Sequence, residues 1–236
     1  MQRVKYEDLG IIDYKTAWDY QETLLQQNVA LKSAARIINP AYDTMALDTQ
    51  HYLLLCEHEP VYTLGKSGHL SNVLLSEEEM QKRGISFFKT NRGGDITFHG
   101  LQQIVGYPIL ELEKMYTDIG RYLRNLEDVI IGTIAEFGIK GERSAGETGV
   151  WIEPGVKGRE RKICAMGVRC SRWVTMHGFA LNVNTNLDYF KNIIPCGIQN
   201  KQVTSIEKEL GHAANYEDVK HALKQNFEKI FSVSLQ

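Results

Sequence analysis

Between Gly149 and Val183 the chain carries three strand-like runs in close succession: Val150-Trp151-Ile152, Lys162 to Arg169, and Trp173 to Val183. They are separated only by glycine-bearing and charged turns such as Gly155-Val156-Lys157-Gly158. A parallel crossover needs a dozen or more connecting residues, so strands this closely spaced are expected to pair antiparallel. Helical periodicity surrounds them. From Tyr14 to Ile38 the apolar residues Trp18, Leu24, Leu25, Leu31, Ala34, Ile37 and Ile38 recur at helical spacing, and Asn39-Pro40 stops the pattern. Ile119, Tyr122, Leu123, Leu126, Ile130, Ile134 and Phe137 form a second stripe, closed by Gly138 in the position favoured for a left-handed cap. A third helix is expected over Tyr216 to Phe231, with Val219, Leu223, Phe227, Ile230 and Phe231 on one face.

Shorter signals fill the middle. Tyr52-Leu53-Leu54-Leu55-Cys56 reads as a buried strand with Cys56 in the core, and Val61 to Leu64 after Pro60 as another. Ser76-Glu77-Glu78-Glu79 is a capping box opening a short helix that ends at Gly84. Ile85 to Phe88 and Ile104 to Leu110 are strands on either side of a glycine-rich stretch. With no repeat, low-complexity segment or linker, residues 1–236 are expected to form one α+β domain, a mainly antiparallel or mixed sheet flanked by helices.

Of the 236 residues, 43% are hydrophobic and 24% charged, which argues against disorder. A formal net charge of -2 supplies no global basic field for nucleic acid. Charge is locally uneven, however: Lys140, Arg143, Lys157, Arg159, Arg161, Lys162, Arg169 and Arg172 crowd one stretch, as solvated faces or as a docking surface for an acidic partner. Met1 to Tyr6 shows no secretory h-region, and no apolar run approaches the roughly 18 residues of a membrane helix. A cytoplasmic enzyme is the expectation, with no membrane partner. The four cysteines, Cys56, Cys164, Cys170 and Cys196, are then expected as free thiols.

Cys196 lies in a Pro195-Cys196-Gly197 turn, where a proline with fixed φ and a permissive glycine would hold the thiol rigidly. A neighbouring ammonium favours a thiolate, and Lys162 is the candidate. Taken singly, a cysteine is more often an inert buried side chain and a lysine a solvated strand residue. Arg92-Gly93-Gly94-Asp95-Ile96-Thr97-Phe98-His99 adds a loop whose paired glycines could bring backbone amides onto a polarised oxygen. It is neither a Walker loop nor a dinucleotide fingerprint. The spacing of Cys164, Cys170, His177 and Cys196 fits no short paired-cysteine zinc pattern, and no Gly-x-Ser-x-Gly elbow occurs. Together these residues suit an acyl-transfer site.

These motifs resemble the lipoyl(octanoyl) transferase family through most of the chain. Glu57-His58-Glu59-Pro60-Val61-Tyr62-Thr63-Leu64-Gly65 is similar to the family's early strand pair, Arg92 to Gly100 to its substrate loop, and Lys162 to Arg169, His177 to Asn184 and Ile194 to Ile198 to its remaining blocks, in the same order. The resemblance implies a biotin/lipoate protein ligase-like fold, Cys196 as acyl-accepting nucleophile, and Lys162 as the residue that lowers its pKa and handles protons. It also implies substrate contacts from Arg92, Gly93, Gly94, Asp95, Ile96, Thr97, Phe98, His99, Ala165, Met166, Gly167, Gly178, Phe179 and Ala180. The implied reaction moves octanoyl from octanoyl-acyl carrier protein to a lysine of lipoyl domains, those of 2-oxo acid dehydrogenase complexes and the glycine cleavage H protein. No metal, cofactor or ATP is expected. An ATP-dependent lipoate or biotin ligase on the same fold is the alternative. The chain departs from the family where His99-Gly100-Leu101-Gln102-Gln103 replaces the usual His-Gly-Pro-Gly-Gln.

Overall fold

The computed structural model describes residues 2–194 and 202–236, so the Pro195-Cys196-Gly197 turn lies outside the described residues. In chain order the elements are β1 (Gln2–Ile11), α1 (Tyr14–Ile38), β2 (His51–Glu57), β3 (Val61–Leu64), α2 (Glu77–Lys82), β4 (Ser86–Lys89), β5 (Ile96–His99) and β6 (Gln103–Ile109). They continue with α3 (Ile119–Ala135), β7 (Val150–Ile152), β8 (Arg161–Ser171), β9 (Val174–Asn182), β10 (Gln202–Val203), α4 (Ile206–Leu210), α5 (Tyr216–Phe231) and β11 (Val233–Leu235). The larger sheet runs β10-β8-β9-β6-β2-β1-β11, with β7 also paired to β8; a smaller one runs β4-β3-β5.

The closely spaced strands pair as their loops dictate. β7 with β8 and β8 with β9 are antiparallel; so too, across long connections that the short-loop argument does not cover, are β9 with β6 and β6 with β2. Parallel pairs lie outside this centre: β1 with β2 across the α1 connection, β1 with β11, and β8 with β10. The sheet is therefore mixed. The sequence reading missed β1 because, of its ten residues, only Val4 is buried, so no apolar alternation marks it.

Helix ends follow their caps. Asp13 accepts from Thr16 N at 2.9 Å to start α1, and both halves of the Ser76–Glu79 capping box are formed. Alternation along β2 divides the large sheet's two faces: Leu53 and Leu55 pack toward α3 and α5, Leu54 and Cys56 toward α1. A third cluster, including Tyr62, Phe98 and Phe190, lies against the small sheet.

α1 corrects its predicted face. Ile37 and Ile38 are 84% and 86% exposed, and Leu31 is exposed as well. The buried side carries Tyr14, Ala17, Gln21, Leu24, Leu25, Asn28 and Lys32. The polar members have partners: Asn28 exchanges two hydrogen bonds with the backbone of Gln50, and Lys32 Nζ lies 2.5 Å from Glu111 and 2.6 Å from Glu113. No helix among the described residues is long and apolar enough to cross a membrane.

Candidate active site

A cavity of about 680 Å³ is lined by both sheets, by the 92–95 loop and by the 146–148 segment. That volume is in the usual range for small-molecule sites. Lys162 lines it, as do Arg92, Gly93, Gly94, Asp95, Ile96, Thr97 and His99 from the first predicted block. Ala165, Met166 and Gly167 from β8 and Gly178, Phe179 and Ala180 from β9 complete the predicted set. Phe98 is the exception: it does not line the cavity. On β5 it alternates with Thr97 and His99, and its ring stacks on Tyr189 at 4.6 Å within the small-sheet cluster.

Lys162 is positioned by its register. On β8 it pairs with Trp151 of β7 and with Val203 of β10, and its Nζ lies 4.5 Å from the centre of the Trp151 ring. An ammonium over an indole face is an attractive contact. Thr204 N donates to Lys162 O at 2.9 Å, tying the chain after β10 to the same residue.

The glycine loop is braced from within. Arg92, buried, donates through Nη2 to Thr63 O at 2.6 Å, Thr63 Oγ1 at 2.9 Å and Asp95 O at 2.8 Å, and through Nη1 to Gly93 O at 3.0 Å. Asp95 accepts from Ile96 N at the start of β5 and from Asn72 Nδ2. Gly93 N donates to Val168 O at 2.9 Å, so this amide docks the loop on β8. A side chain at Gly167 would meet Gly93 O at 2.6 Å, which explains why the facing strand has glycine there.

Sequence reasoning gave no site role to the cavity's polar side, although Gln103, His177, Asn182 and His58 fall in stretches it named: Tyr14, Gln103, Tyr107, His177 and Asn182 line it, with His58 packed behind. Gln103 Nε2 donates to Asn182 Oδ1 at 2.8 Å and Phe98 O at 3.2 Å, leaving its Oε1 to accept from His99 Nδ1 at 2.9 Å. Tyr107 donates to His58 Nε2 at 2.7 Å, while His58 Nδ1 donates to Ile12 O at 2.7 Å. His177 Nε2 donates to Asn91 Oδ1 at 2.7 Å. The network thus assigns neutral tautomers to His58 and His99. Burial lowers His58 to about 4 and His177 to about 3, the latter with help from Arg92 and Arg169, and holds His99 well below the usual histidine value. These rings are uncharged at neutral pH. Two of the partners are distant in sequence, Tyr107 from His58 by 49 residues and Asn91 from His177 by 86, so no local motif announces them, whereas Gln103 lies four residues after His99, in the stretch where the chain departs from the family pattern.

The basic stretch 140–172 is largely neutralised. Lys140 pairs with Glu142, Arg143 with Glu127 and Asp128, Arg159 with Glu153, Arg161 with Glu153 and Glu209, and Arg169 with Glu22. Solvated, self-paired strand faces account for it better than an open cationic surface. Among the described residues no group of His, Cys, Asp and Glu is arranged to hold a metal ion.

Over the whole chain the fold aligns, with a TM-score of 0.69 at 15% identity, to 86% of a bipartite lipoate protein ligase from Thermoplasma acidophilum, which defines a lipoate ligase-like fold. A family model for the lipoyl protein ligase A/B catalytic domain matches residues 13–228, and the chain belongs to that family. Among its relatives are octanoyltransferases of Christiangramia forsetii, 52% identical over 100% of this chain and 98% of theirs, and of Flavobacterium psychrophilum, 54% identical over 98% of each. The chain is accordingly an acyltransferase of protein lipoylation that transfers octanoyl groups.

Proposed function

We propose that the octanoyl group arrives as a thioester on acyl carrier protein, passes to Cys196, and leaves on a lysine amine of a lipoyl domain. The observation that carries this reading is Lys162, held over Trp151 in the cavity wall and paired with Val203, while Phe190 and Val203 line the same cavity on either side of residues 195–201. The other thiols are poorly suited to the role. Burial pushes Cys56, Cys164 and Cys170 up from the ordinary thiol value, away from the thiolate a nucleophile requires.

In the first half-reaction the Cys196 thiolate attacks the thioester carbonyl carbon. The bond to the pantetheine sulfur breaks, and that thiolate leaves with a proton supplied from Lys162. One thioester replaces another, so no ATP is required. In the second, the acceptor lysine, as a neutral amine, attacks the acyl-enzyme carbonyl; the bond to Cys196 Sγ breaks and Lys162 takes the proton lost by the amine. Backbone amides near Gly167 or Gly178 are the proposed oxyanion donors. The seven carbons beyond the carbonyl are worth about 5–6 kcal/mol on burial, at about 0.8 kcal/mol each. Met166, Phe179, Ala180 and Val203 offer them an apolar wall.

Mixing the enzyme with octanoyl-acyl carrier protein and a lipoyl domain, without ATP, should acylate the domain. Lys162→Ala should slow transfer by about 10²- to 10⁴-fold. Acylation that appears only with ATP and free octanoate would replace this reading with the ligase chemistry.

A further inference from the structure

Lys162 rests on more than its own strand. Gly149, at the entry to β7, has φ +115; a side chain there would lie 2.6 Å from Cys164 O and 3.5 Å from Lys162 Cε. The backbone at 149 is thus part of the bed under the lysine's alkyl chain, and only glycine lets it approach so closely. That backbone is fixed from the far side, where Gly149 N donates to Glu127 Oε1 at 3.0 Å.

Glu127 is fully buried on α3, beside Leu126 and Ile130. A carboxylate is costly there unless both oxygens are engaged. Oε2 accepts from Arg143 Nε at 2.9 Å and lies 2.7 Å from Arg124 Nη1. Arg143 reaches on to Asp128 and to the carbonyl of Arg124. Glu127 therefore pins both ends of the segment from Arg143 to Gly149, and Gly146, Glu147 and Thr148 between them line the cavity with Lys162. A buried ion pair is weak grounds for stability, since apolar residues of similar volume often serve as well. Control of geometry is the better reason for a carboxylate at this place.

We propose that Glu127 is a positioning residue for acyl transfer: by fixing the Gly149 amide it sets the 146–149 wall and the bed of Lys162. It acts through Lys162, and the inference rests on the role proposed for that lysine.

Two full-length variants separate position from bulk. Glu127→Met keeps the volume and removes the acceptor, whereas Glu127→Gln retains an oxygen for the Gly149 amide. Glu127→Met should lower kcat by about tenfold or more, as small misplacements near reacting groups do, with KM for octanoyl-acyl carrier protein within about twofold. Reductive methylation read by mass spectrometry should show Lys162 labelled several times faster relative to the other lysines. Glu127→Gln should restore kcat to within about threefold and return the labelling to the wild-type pattern. A folded Glu127→Met with wild-type kcat and labelling overturns the proposal. So does a loss of kcat shared equally by Glu127→Gln with labelling unchanged. If Glu127→Met does not fold, Arg143→Met is read by the same two measurements, with the same outcomes deciding. If wild-type enzyme transfers nothing, the proposed reaction fails, while the Lys162 labelling still tests the positioning by itself.

Discussion

The two faces of the large sheet are covered by helices of opposite character. Toward α3 and α5 the contact is a continuous apolar cluster in which Leu53, Leu126, Ile130, Leu223 and Phe227 are fully buried. Toward α1 the apolar cluster is smaller, and the helix presents Tyr14, Gln21, Asn28 and Lys32 to strands and loops that carry His51, His58, Glu111 and His177. Tyr14 stacks on His99 at 5.9 Å, Gln21 accepts from His177 N at 3.0 Å, and Lys32 is held by Glu111 and Glu113. Apolar packing tolerates small shifts in position, whereas directed hydrogen bonds do not. The first face therefore carries most of the stability, and the second fixes the geometry of the cavity's polar side. Glu127 is a charged residue on the apolar face, and its bond to Gly149 leads back to the cavity.

The division can be broken first on the apolar side. Phe227 is fully buried, with its ring 4.6 Å from Phe231, and Phe227→Ala should cost about 3–5 kcal/mol in denaturant unfolding. Transfer by the molecules that remain folded should be unchanged. A loss of kcat without a loss of stability would show that the α5 face reaches the chemistry.

The polar side should reveal itself by pH. Burial lowers His51 and His58 to about 4 and His177 to about 3, so between these values and about 6.5 the unfolded chain binds more protons than the folded one. Stability is fully present above about 6.5 and declines as pH falls through that window, at full development by about 3 kcal/mol each for His51 and His58 and about 5 kcal/mol for His177. Urea midpoints measured from pH 7.5 to 4 should show that decline, and His58→Gln should flatten it. An identical slope in the variant would remove His58 from the explanation.

The smallest effect sharpens the contrast, since it lies at the end of α5 and should alter stability alone. Ser232 is exposed and adopts φ +54 as the left-handed cap. Glycine is preferred in that conformation, so Ser232→Gly should raise stability by about 0.5–1 kcal/mol without altering transfer. A change in transfer rate would contradict the separation of the faces.

Local periodicity made the apolar side of the molecule legible in the sequence. α5 was expected at its observed bounds, β7 to β9 within about two residues, and the α3 stripe of Tyr122, Leu126, Ile130 and Ile134 is buried as read. α1 too was expected at its observed bounds, Tyr14–Ile38, but its buried face was misjudged, because its buried polar side chains are satisfied by residues far along the chain, such as Glu111 for Lys32, and apolar counting cannot register them. β1 and β11 escaped for a related reason: they form the parallel edge of the sheet and bury little. In the site, the stretches 92–99, 165–167 and 178–180 do converge with Lys162 on one cavity, Phe98 excepted. The loop arginine was legible as a residue but not as a brace, since its partner Thr63 lies 29 positions away.

The most direct test of acyl transfer through Cys196 is the intact mass of the enzyme, quenched rapidly after mixing with octanoyl-acyl carrier protein in the absence of ATP. Wild type should gain about 126 Da, one octanoyl group, and lose it on addition of a lipoyl domain, while Cys196→Ala gains nothing. A folded wild type that acylates the lipoyl domain yet never carries the adduct, or a Cys196→Ala variant that carries it, would contradict the mechanism.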